Sequence, residues 1–236
     1  MNALEPSNEE QPVIRSAREG KRTTAQVLFY FLVRLLSQFV AVFLFEYRCF
    51  GRANIPLHRG ALILSTHQST VDPVAVGISF RERLNNMSRK TLFYNRLLAA
   101  VIRILDAIEL DRKRGGLAGL KETMVRLRRD EKVLIFPEGT RSMDGRVAKM
   151  KPGFVSIAKR TRVPLIPVAV TGAYQVLPRG TVIPRRHPLR VAIGPSIVSE
   201  EIDDLTEPEI IQLVQERLLE CDALARRHHE SALGGL

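Results

Sequence analysis

The chain has 236 residues, of which 45% are hydrophobic and 26% are charged, and its formal net charge is +11 at pH 7. This length fits one α/β domain with terminal extensions better than two independent domains, and the apolar fraction is enough for a sizeable core. Two cysteines exclude a disulfide-framework fold and fit a reducing compartment. The basic charge suits nucleic acid, anionic lipid headgroups or an anionic substrate, or is simply a solvated surface.

The first two segments of the chain differ sharply in composition. Residues 1–24 are polar and charged, with Pro6 and Pro12, and are predicted to form a mobile basic tail. Residues 25–50 contain an apolar run from Val27 to Tyr47, and roughly 20 such residues can cross a bilayer as a helix. The run is too long for a secretory signal and lacks a small-residue cleavage site. It predicts a membrane-associated helix.

Polar and small residues in this run lie three and four positions apart, which places them on one helical face: Tyr30, Arg34, Ser37, Gln38 and Ala41. Because an arginine in mid-membrane is costly, this stripe favours a helix in the membrane interface over a true span. The basic residues before it (Arg15, Arg18, Lys21 and Arg22) predict anionic headgroups nearby and, if the helix spans the membrane, a cytoplasmic N-terminus. An amphipathic helix packed on the domain is the alternative.

The rest of the chain alternates between candidate strands and helices. Strands are predicted over residues 61–64, 107–111, 132–136 and 189–194, and helices from Pro73 and over residues 90–105, 117–130, 152–161 and 208–227. The stretch 163–170 contains two prolines, which predict that it is not a central, regularly paired strand. The pattern predicts an α/β fold with a central, largely parallel (mixed) sheet covered by helices over residues 51–200. Residues 201–236 form the C-terminal helix and tail.

His67 and Asp72 lie in a polar segment directly after the first apolar strand, where α/β folds usually present their chemistry. Five residues apart, they would point about 140° away from each other on a helix, so they meet only if the chain turns between them. If they meet, His67 can act as a general base and Asp72 can fix its tautomer. The alternative for Asp72, which precedes Pro73, is a helix N-cap, and one carboxylate can do both.

The sequence offers no enzyme nucleophile and no metal site. It contains no G-x-S-x-G segment, neither cysteine has a histidine partner in sequence, and the remaining histidines lie outside ligand spacing. If His67 is a base, it is therefore expected to activate a hydroxyl of the substrate.

Two segments are candidates for binding an anion. In Phe136–Ser142, Gly139 permits close backbone approach, Thr140 and Ser142 supply hydroxyls, and Arg141 offers a fork that matches phosphate oxygens. A strand-end turn with a surface salt bridge is the alternative. The run Leu110–Gly116 adds Arg112, Lys113 and Arg114, which alone indicate little because such runs are usually solvated.

The sequence resembles the glycerophospholipid acyltransferase family, in particular bacterial 1-acylglycerol-3-phosphate acyltransferases. The resemblance runs from about Arg52 to Pro195 and includes three blocks in order: the H-x-x-x-x-D block at His67–Asp72, the phosphate-site block at Phe136–Ser142, and a proline-containing block at Val163–Val168. It identifies residues 51–200 as the acyltransferase domain.

The resemblance implies transfer of a fatty acyl group to the free hydroxyl of 1-acylglycerol 3-phosphate, giving phosphatidate. The donor would be acyl-CoA or acyl-carrier protein, with no cofactor. His67 would be the base and Asp72 its partner, and the acceptor's phosphate would be bound by a set consisting of Arg112, Glu138, Gly139, Thr140 and Arg141. A carboxylate repels phosphate, so Glu138 is expected to orient Arg141 or a loop amide. Membrane lipids and the lysophospholipid are the expected partners, at the cytoplasmic face of the membrane.

The sequence departs from the family pattern at three positions. Thr66 replaces the usual asparagine before the histidine, while Asp106 and Glu109 replace a glycine and an aromatic residue and add negative charge near an anion site. These departures bear on the acceptor more than on the reaction. The alternatives are another acceptor (glycerol 3-phosphate, another lysophospholipid or a lyso-aminolipid) or a non-catalytic basic membrane-binding protein. Nucleic acid is disfavoured because 6% aromatic residues give few stacking platforms.

Overall fold

The structure, a computed structural model, describes residues 23–57, 59–89, 108–110 and 117–234, with the backbone alone at residues 26, 87–89, 108–110, 117 and 118. Its helices are α1 (Thr24–Phe45), α2 (Asp72–Ser79), α3 (Leu117–Leu127), α4 (Gly153–Thr161), α5 (Ala173–Val176) and α6 (Glu207–Leu233). Its strands are β1 (Arg48–Phe50), β2 (Ala61–Ser65), β3 (Leu84–Arg89), β4 (Ile108–Leu110), β5 (Lys132–Ile135), β6 (Leu165–Thr171) and β7 (Arg190–Ile193).

The strands form one sheet in the order β1-β7-β6-β2-β5-β3-β4. All neighbouring pairs are parallel except β6 and β7, which are antiparallel. The central strand β2 pairs with β5 from Ala61↔Lys132 and with β6 from Leu62↔Leu165. The predicted fold class, a largely parallel mixed sheet covered by helices, is confirmed.

The prediction for residues 163–170 is wrong, because β6 is an interior strand paired on both sides. The backbone N–H groups of Leu62 and Thr66 donate to the carbonyls of Pro164 and Val168, so the even-numbered residues face β2. Pro167 is turned toward β7, whose ladder with β6 ends one residue away at Val168↔Ile193. The N–H that proline lacks is therefore not needed by either ladder.

Alternating residues of the central strands divide the core into two layers. Leu62 and Leu64 of β2 join an apolar cluster with α3, α4 and α6. Ala61 and Ile63 join a second cluster on the opposite face, with α2 and the end of α1. The strands are buried on both faces, which is why they read as continuous apolar runs in the sequence.

The polar face of α1 contacts the domain and its apolar face does not. Arg34 donates to the backbone carbonyls of Gly77, Ile78 and Phe80 at the carboxyl end of α2, and Gln38 donates to Ile78. The outward face exposes large apolar side chains along its length: Leu28, Phe29, Phe31, Leu32, Leu35, Leu36, Phe39, Val42, Phe43 and Leu44. The helix thus packs on the domain and still presents an unpaired apolar surface.

Some predictions need adjustment at the edges of the fold. α1 ends at Phe45, the chain turns at Glu46 with φ of 44°, and residues predicted to belong to the helical segment form β1. The strand β3 was not predicted, because its sequence LNNMSR lacks an apolar alternation. The predicted tail up to residue 22, the helix over residues 90–105 and Arg112 lie outside the described residues, as does Asp106. Of Glu109, which lies in β4, only the backbone is described.

Candidate active site

The candidate site lies where parallel strands end at the same edge of the sheet. β2 continues into the turn 66–71 and α2, β5 continues into the segment 136–152, and β6 continues into Gly172 and α5. Because β2 lies between β5 and β6 and is parallel to both, these three connections meet at one edge. The sheet therefore brings the two sequence motifs together although they are about seventy residues apart.

His67 and Asp72 are in direct contact. The distance between His67 Nδ1 and Asp72 Oδ2 is 2.9 Å. The same oxygen accepts the backbone N–H groups of Gln68 at 2.6 Å and Ser69 at 2.7 Å. As a carboxylate carries no proton, Nδ1 must be the donor, which leaves the lone pair on Nε2. The predicted turn thus exists, and Asp72 itself holds it.

The prediction that Asp72 also caps α2 is wrong. Asp72 is the first residue of the helix, the N-cap position is Val71, and no side chain caps the helix there. Its hydrogen bonds go backwards to the turn instead of forwards to the helix. Burial raises the pKa of the Asp72 carboxyl, opposed by the hydrogen bonds from His67, Ser69 and Gln68. Its other oxygen, Oδ1, is buried and has no partner in the described part of the chain.

His67 is fixed through one face of its ring, through Nδ1 and through its backbone, and its side chain stays partly exposed. Its ring stacks on Phe136, with 4.0 Å between ring centroids and 19° between planes. The backbone carbonyl of His67 accepts the Ser142 N–H at 2.7 Å, and its own N–H donates to Glu138 Oε1 at 3.0 Å. The His67 side chain keeps 19% exposure. The ring is therefore positioned by the segment 136–142 as well as by Asp72.

The carboxylate of Glu138 binds a backbone amide of the His67 loop, which is one of the two contacts that the sequence predicted for it. Its side chain is only 3% exposed, and it holds the backbone N–H of His67 instead of Arg141. Of the two predicted partners of Glu138, Arg141 or a loop amide, the structure shows the loop amide. Burial raises the pKa of Glu138 to about 7, against the lowering effect of the N–H groups of His67 and Ala148. Oε2 of Glu138 is buried without a partner among the described residues.

Part of the predicted phosphate segment reaches solvent next to His67. Thr140 is exposed and Arg141 is half-buried, and Gly139 has φ of 72°. A side chain at Gly139 would be strained, and its Cβ would lie 2.9 Å from Nζ of Lys151. Sequence reasoning missed Lys151. In the sequence it is only a lysine before Pro152, which is too common a pattern to indicate a site. In the fold, its backbone N–H donates to the carbonyl of Pro137, and this bond brings it next to the segment 136–142.

The backbone N–H groups of His67 and of the two residues after it are engaged. Those of His67, Gln68 and Ser69 donate to the carboxylates of Glu138 or Asp72 and are therefore not available to an oxyanion. Within the described residues, the backbone N–H groups of Thr140 and Arg141 have no intramolecular acceptor. Thr140 and Arg141 lie two residues and one residue before Ser142, whose N–H donates to the carbonyl of His67.

No group of three or more His, Cys, Asp or Glu side chains that could hold a metal ion occurs within the ranges that the structure describes. His187 and His229 do meet, with 3.1 Å between their Nε2 atoms, but no carboxylate or thiol joins them there.

A family model for acyltransferases matches residues 46–171, which contain both halves of the site. The chain belongs to the acyltransferase family. This confirms the resemblance and the enzyme class predicted from the motifs.

Among the relatives of this acyltransferase, the 1-acyl-sn-glycerol-3-phosphate acyltransferase of Bacillus subtilis is 27% identical over 72% of the chain and 83% of its own length. That of Pseudomonas aeruginosa is 32% identical over 70% of the chain and 63% of its own length. That of Limnanthes douglasii is 30% identical over 66% of the chain and 55% of its own length. The crystal structure of the 1-acyl-sn-glycerophosphate acyltransferase of Thermotoga maritima matches the fold with a TM-score of 0.74 and 24% identity, covering 89% of this chain and 85% of that one.

Proposed function

We propose that this chain transfers a fatty acyl group from acyl-CoA or acyl-carrier protein to the free hydroxyl of 1-acylglycerol 3-phosphate, giving phosphatidate for phospholipid synthesis. The observation that carries the proposal is the 2.9 Å contact between His67 Nδ1 and Asp72 Oδ2, which leaves Nε2 available beside the segment 136–142. The acceptor named for the bacterial and plant relatives supports the choice of substrate.

In this mechanism the acceptor itself is the nucleophile. Nε2 of His67 takes the proton of the acceptor hydroxyl as its oxygen attacks the thioester carbonyl, and Asp72 stabilises the imidazolium that forms. When the tetrahedral intermediate collapses, the carbon–sulfur bond breaks and the imidazolium returns the proton to the leaving thiolate. The amides of Thr140 and Arg141 are the donors we assign to the oxyanion.

The phosphate of the acceptor would lie over Gly139. The side chain of Lys151 lies over this glycine, Thr140 and Arg141 follow it in sequence, and its lack of a Cβ lets the ligand approach the backbone. Arg112 of the family pattern remains part of the proposed set. Glu138 acts indirectly, since it fixes the backbone of His67 and does not face the substrate.

The apolar face of α1 supplies the membrane contact. The segment Val27–Phe45 has a mean hydropathy of 2.1 and is mostly exposed. Since Arg34 and Gln38 bind α2, the helix is held along the domain surface, and an interfacial position satisfies both faces. We propose the cytoplasmic face of the membrane, where anionic lipids meet a chain of net charge +11.

The decisive test is a matrix of donors against acceptors with the purified full-length chain on anionic vesicles. The donors are acyl-CoA and acyl-carrier protein, and the acceptors are 1-acylglycerol 3-phosphate, glycerol 3-phosphate and a lyso-aminolipid. Phosphatidate from the first acceptor supports the proposal. Turnover only with another acceptor would instead fit the extra negative charge of Asp106 and Glu109. Vesicle binding without turnover for any combination of donor and acceptor would favour a non-catalytic membrane-binding protein.

A further inference from the structure

The loop that joins α5 to β7 carries an exposed apolar pair between arginines. Val182 is 88% exposed and Ile183 is 77% exposed. Arg179, Arg185 and Arg186 flank them in sequence. Adjacent branched apolar side chains this exposed are uncommon on a folded surface, and none of the steps proposed above uses them.

Hydrogen bonds within the loop give it a defined shape. The N–H of Arg185 donates to the carbonyl of Val176 at 2.7 Å, which closes the loop at its base. Both the N–H and the hydroxyl of Thr181 donate to the carbonyl of Pro178, at 3.2 and 2.8 Å. The fold therefore holds Val182 and Ile183 outward at the tip of a closed loop.

Both ends of the loop are tied to parts already described. Ser69, in the turn held by Asp72, donates its hydroxyl to the carbonyl of Leu177 at 2.7 Å. At the other end, the N–H of Leu189 donates to the carbonyl of Phe45, the last residue of α1, at 2.8 Å. The loop thus lies between the catalytic turn and the carboxyl end of the apolar helix.

We propose that the loop 178–187 is a second membrane contact, in which Val182 and Ile183 enter the interface of an anionic bilayer and the arginines bind its headgroups. Apolar tips between guanidinium groups match a surface that is apolar inside and anionic outside. Because the hydrogen bond from Leu189 to Phe45 joins the end of the loop to the carboxyl end of α1, we expect both to meet the same bilayer surface. Since the loop is also bonded to Ser69 in the turn 66–71, the two contacts would hold the site against the lipids that contain its acceptor. This inference rests on the membrane association proposed above.

The absence of tryptophan from the chain makes a direct test possible. Three single-tryptophan variants of the full-length protein are compared: Ile183→Trp in the loop, Phe39→Trp on the outward face of α1, and Leu219→Trp on α6, which covers the opposite face of the sheet. Each is titrated with vesicles of phosphatidylcholine with and without phosphatidylglycerol, some containing brominated acyl chains that quench tryptophan.

The proposal expects a blue shift and at least twofold quenching for Ile183→Trp with anionic brominated vesicles, and no change for Leu219→Trp. When Arg185→Gln and Arg186→Gln are added to the Ile183→Trp variant, the lipid concentration for half-maximal quenching should rise about thirtyfold, from roughly 1 kcal/mol per arginine. Quenching of Phe39→Trp without quenching of Ile183→Trp overturns the proposal while leaving membrane association by α1 intact. Failure of both would remove the membrane association itself. Ile183→Trp is also titrated with acyl-carrier protein in the absence of vesicles. A blue shift with that protein and none with vesicles would assign the loop to this acidic partner and would also overturn the proposal.

Discussion

Asp72 has two separable tasks, holding the turn and carrying the charge beside His67, and two substitutions separate them. Asp72→Asn keeps an oxygen that can accept the N–H groups of Gln68 and Ser69, but removes the negative charge. Asp72→Ala removes both. In the alanine variant two buried backbone N–H groups lose their acceptor, and at about 1–3 kcal/mol each the expected loss in the free energy of unfolding is roughly 2–6 kcal/mol.

The asparagine variant should fold at least as well as the wild type, since burial penalises the native carboxylate. Its kcat should nevertheless fall by a factor of about 10²–10⁴. The imidazolium of His67 loses its negatively charged partner, and the neutral ring loses the group that fixes its tautomer. Urea unfolding and steady-state acyl transfer are measured on the same preparations. Wild-type kcat in Asp72→Asn, or unchanged stability in Asp72→Ala, would refute this reading of the contacts.

Three further substitutions test separate parts of the account. Folding raises the pKa of Glu138 from 4.5 to about 7, so the free energy of unfolding of the wild type relative to Glu138→Gln should fall by about 3 kcal/mol as the pH rises through this range. Urea unfolding of both proteins at pH 5 and 8 measures this, and the comparison cancels the opposite contribution of His229, whose pKa folding lowers to about 4. Lys151→Ala should raise the KM for lysophosphatidate about tenfold with little change in kcat, whereas the matched control Lys149→Ala should leave both unaltered. Arg34→Ala should cost about 2 kcal/mol in thermal unfolding in detergent, since the carboxyl end of α2 loses its charged donor; an unchanged Tm would contradict the observed packing of α1.

Most of the fold could be predicted from the sequence because strands buried on both faces are apolar throughout. β2, β5 and β7 are recognisable in the sequence for this reason, and α6 is recognisable by its amphipathic pattern. The polar β3 could not be found, since its place between β5 and β4 depends on pairing with distant residues. The error at β6 came from treating proline as a general strand breaker, when its effect depends on which side of the strand its nitrogen faces.

The site was only partly predictable for a similar reason. The spacing of His67 and Asp72 required a turn, and the polar residues between them allowed one, but nothing local indicated that Asp72 would bond backwards to that turn. Glu138 looked like a member of the phosphate segment, while its burial and its bond to the His67 N–H arise from the parallel pairing of β2 and β5. Lys151 reaches Gly139 through the path of the chain after β5, which no motif reveals.

The central claim, that Nε2 of His67 is the base for acyl transfer to lysophosphatidate, is tested most directly by His67→Gln. The variant is assayed beside the wild type with the better acyl donor, lysophosphatidate and anionic vesicles, after circular dichroism and vesicle flotation have shown equal folding and binding. The account predicts phosphatidate from the wild type and a loss of at least about 10³-fold in kcat for the variant. Comparable phosphatidate formation by His67→Gln would contradict it.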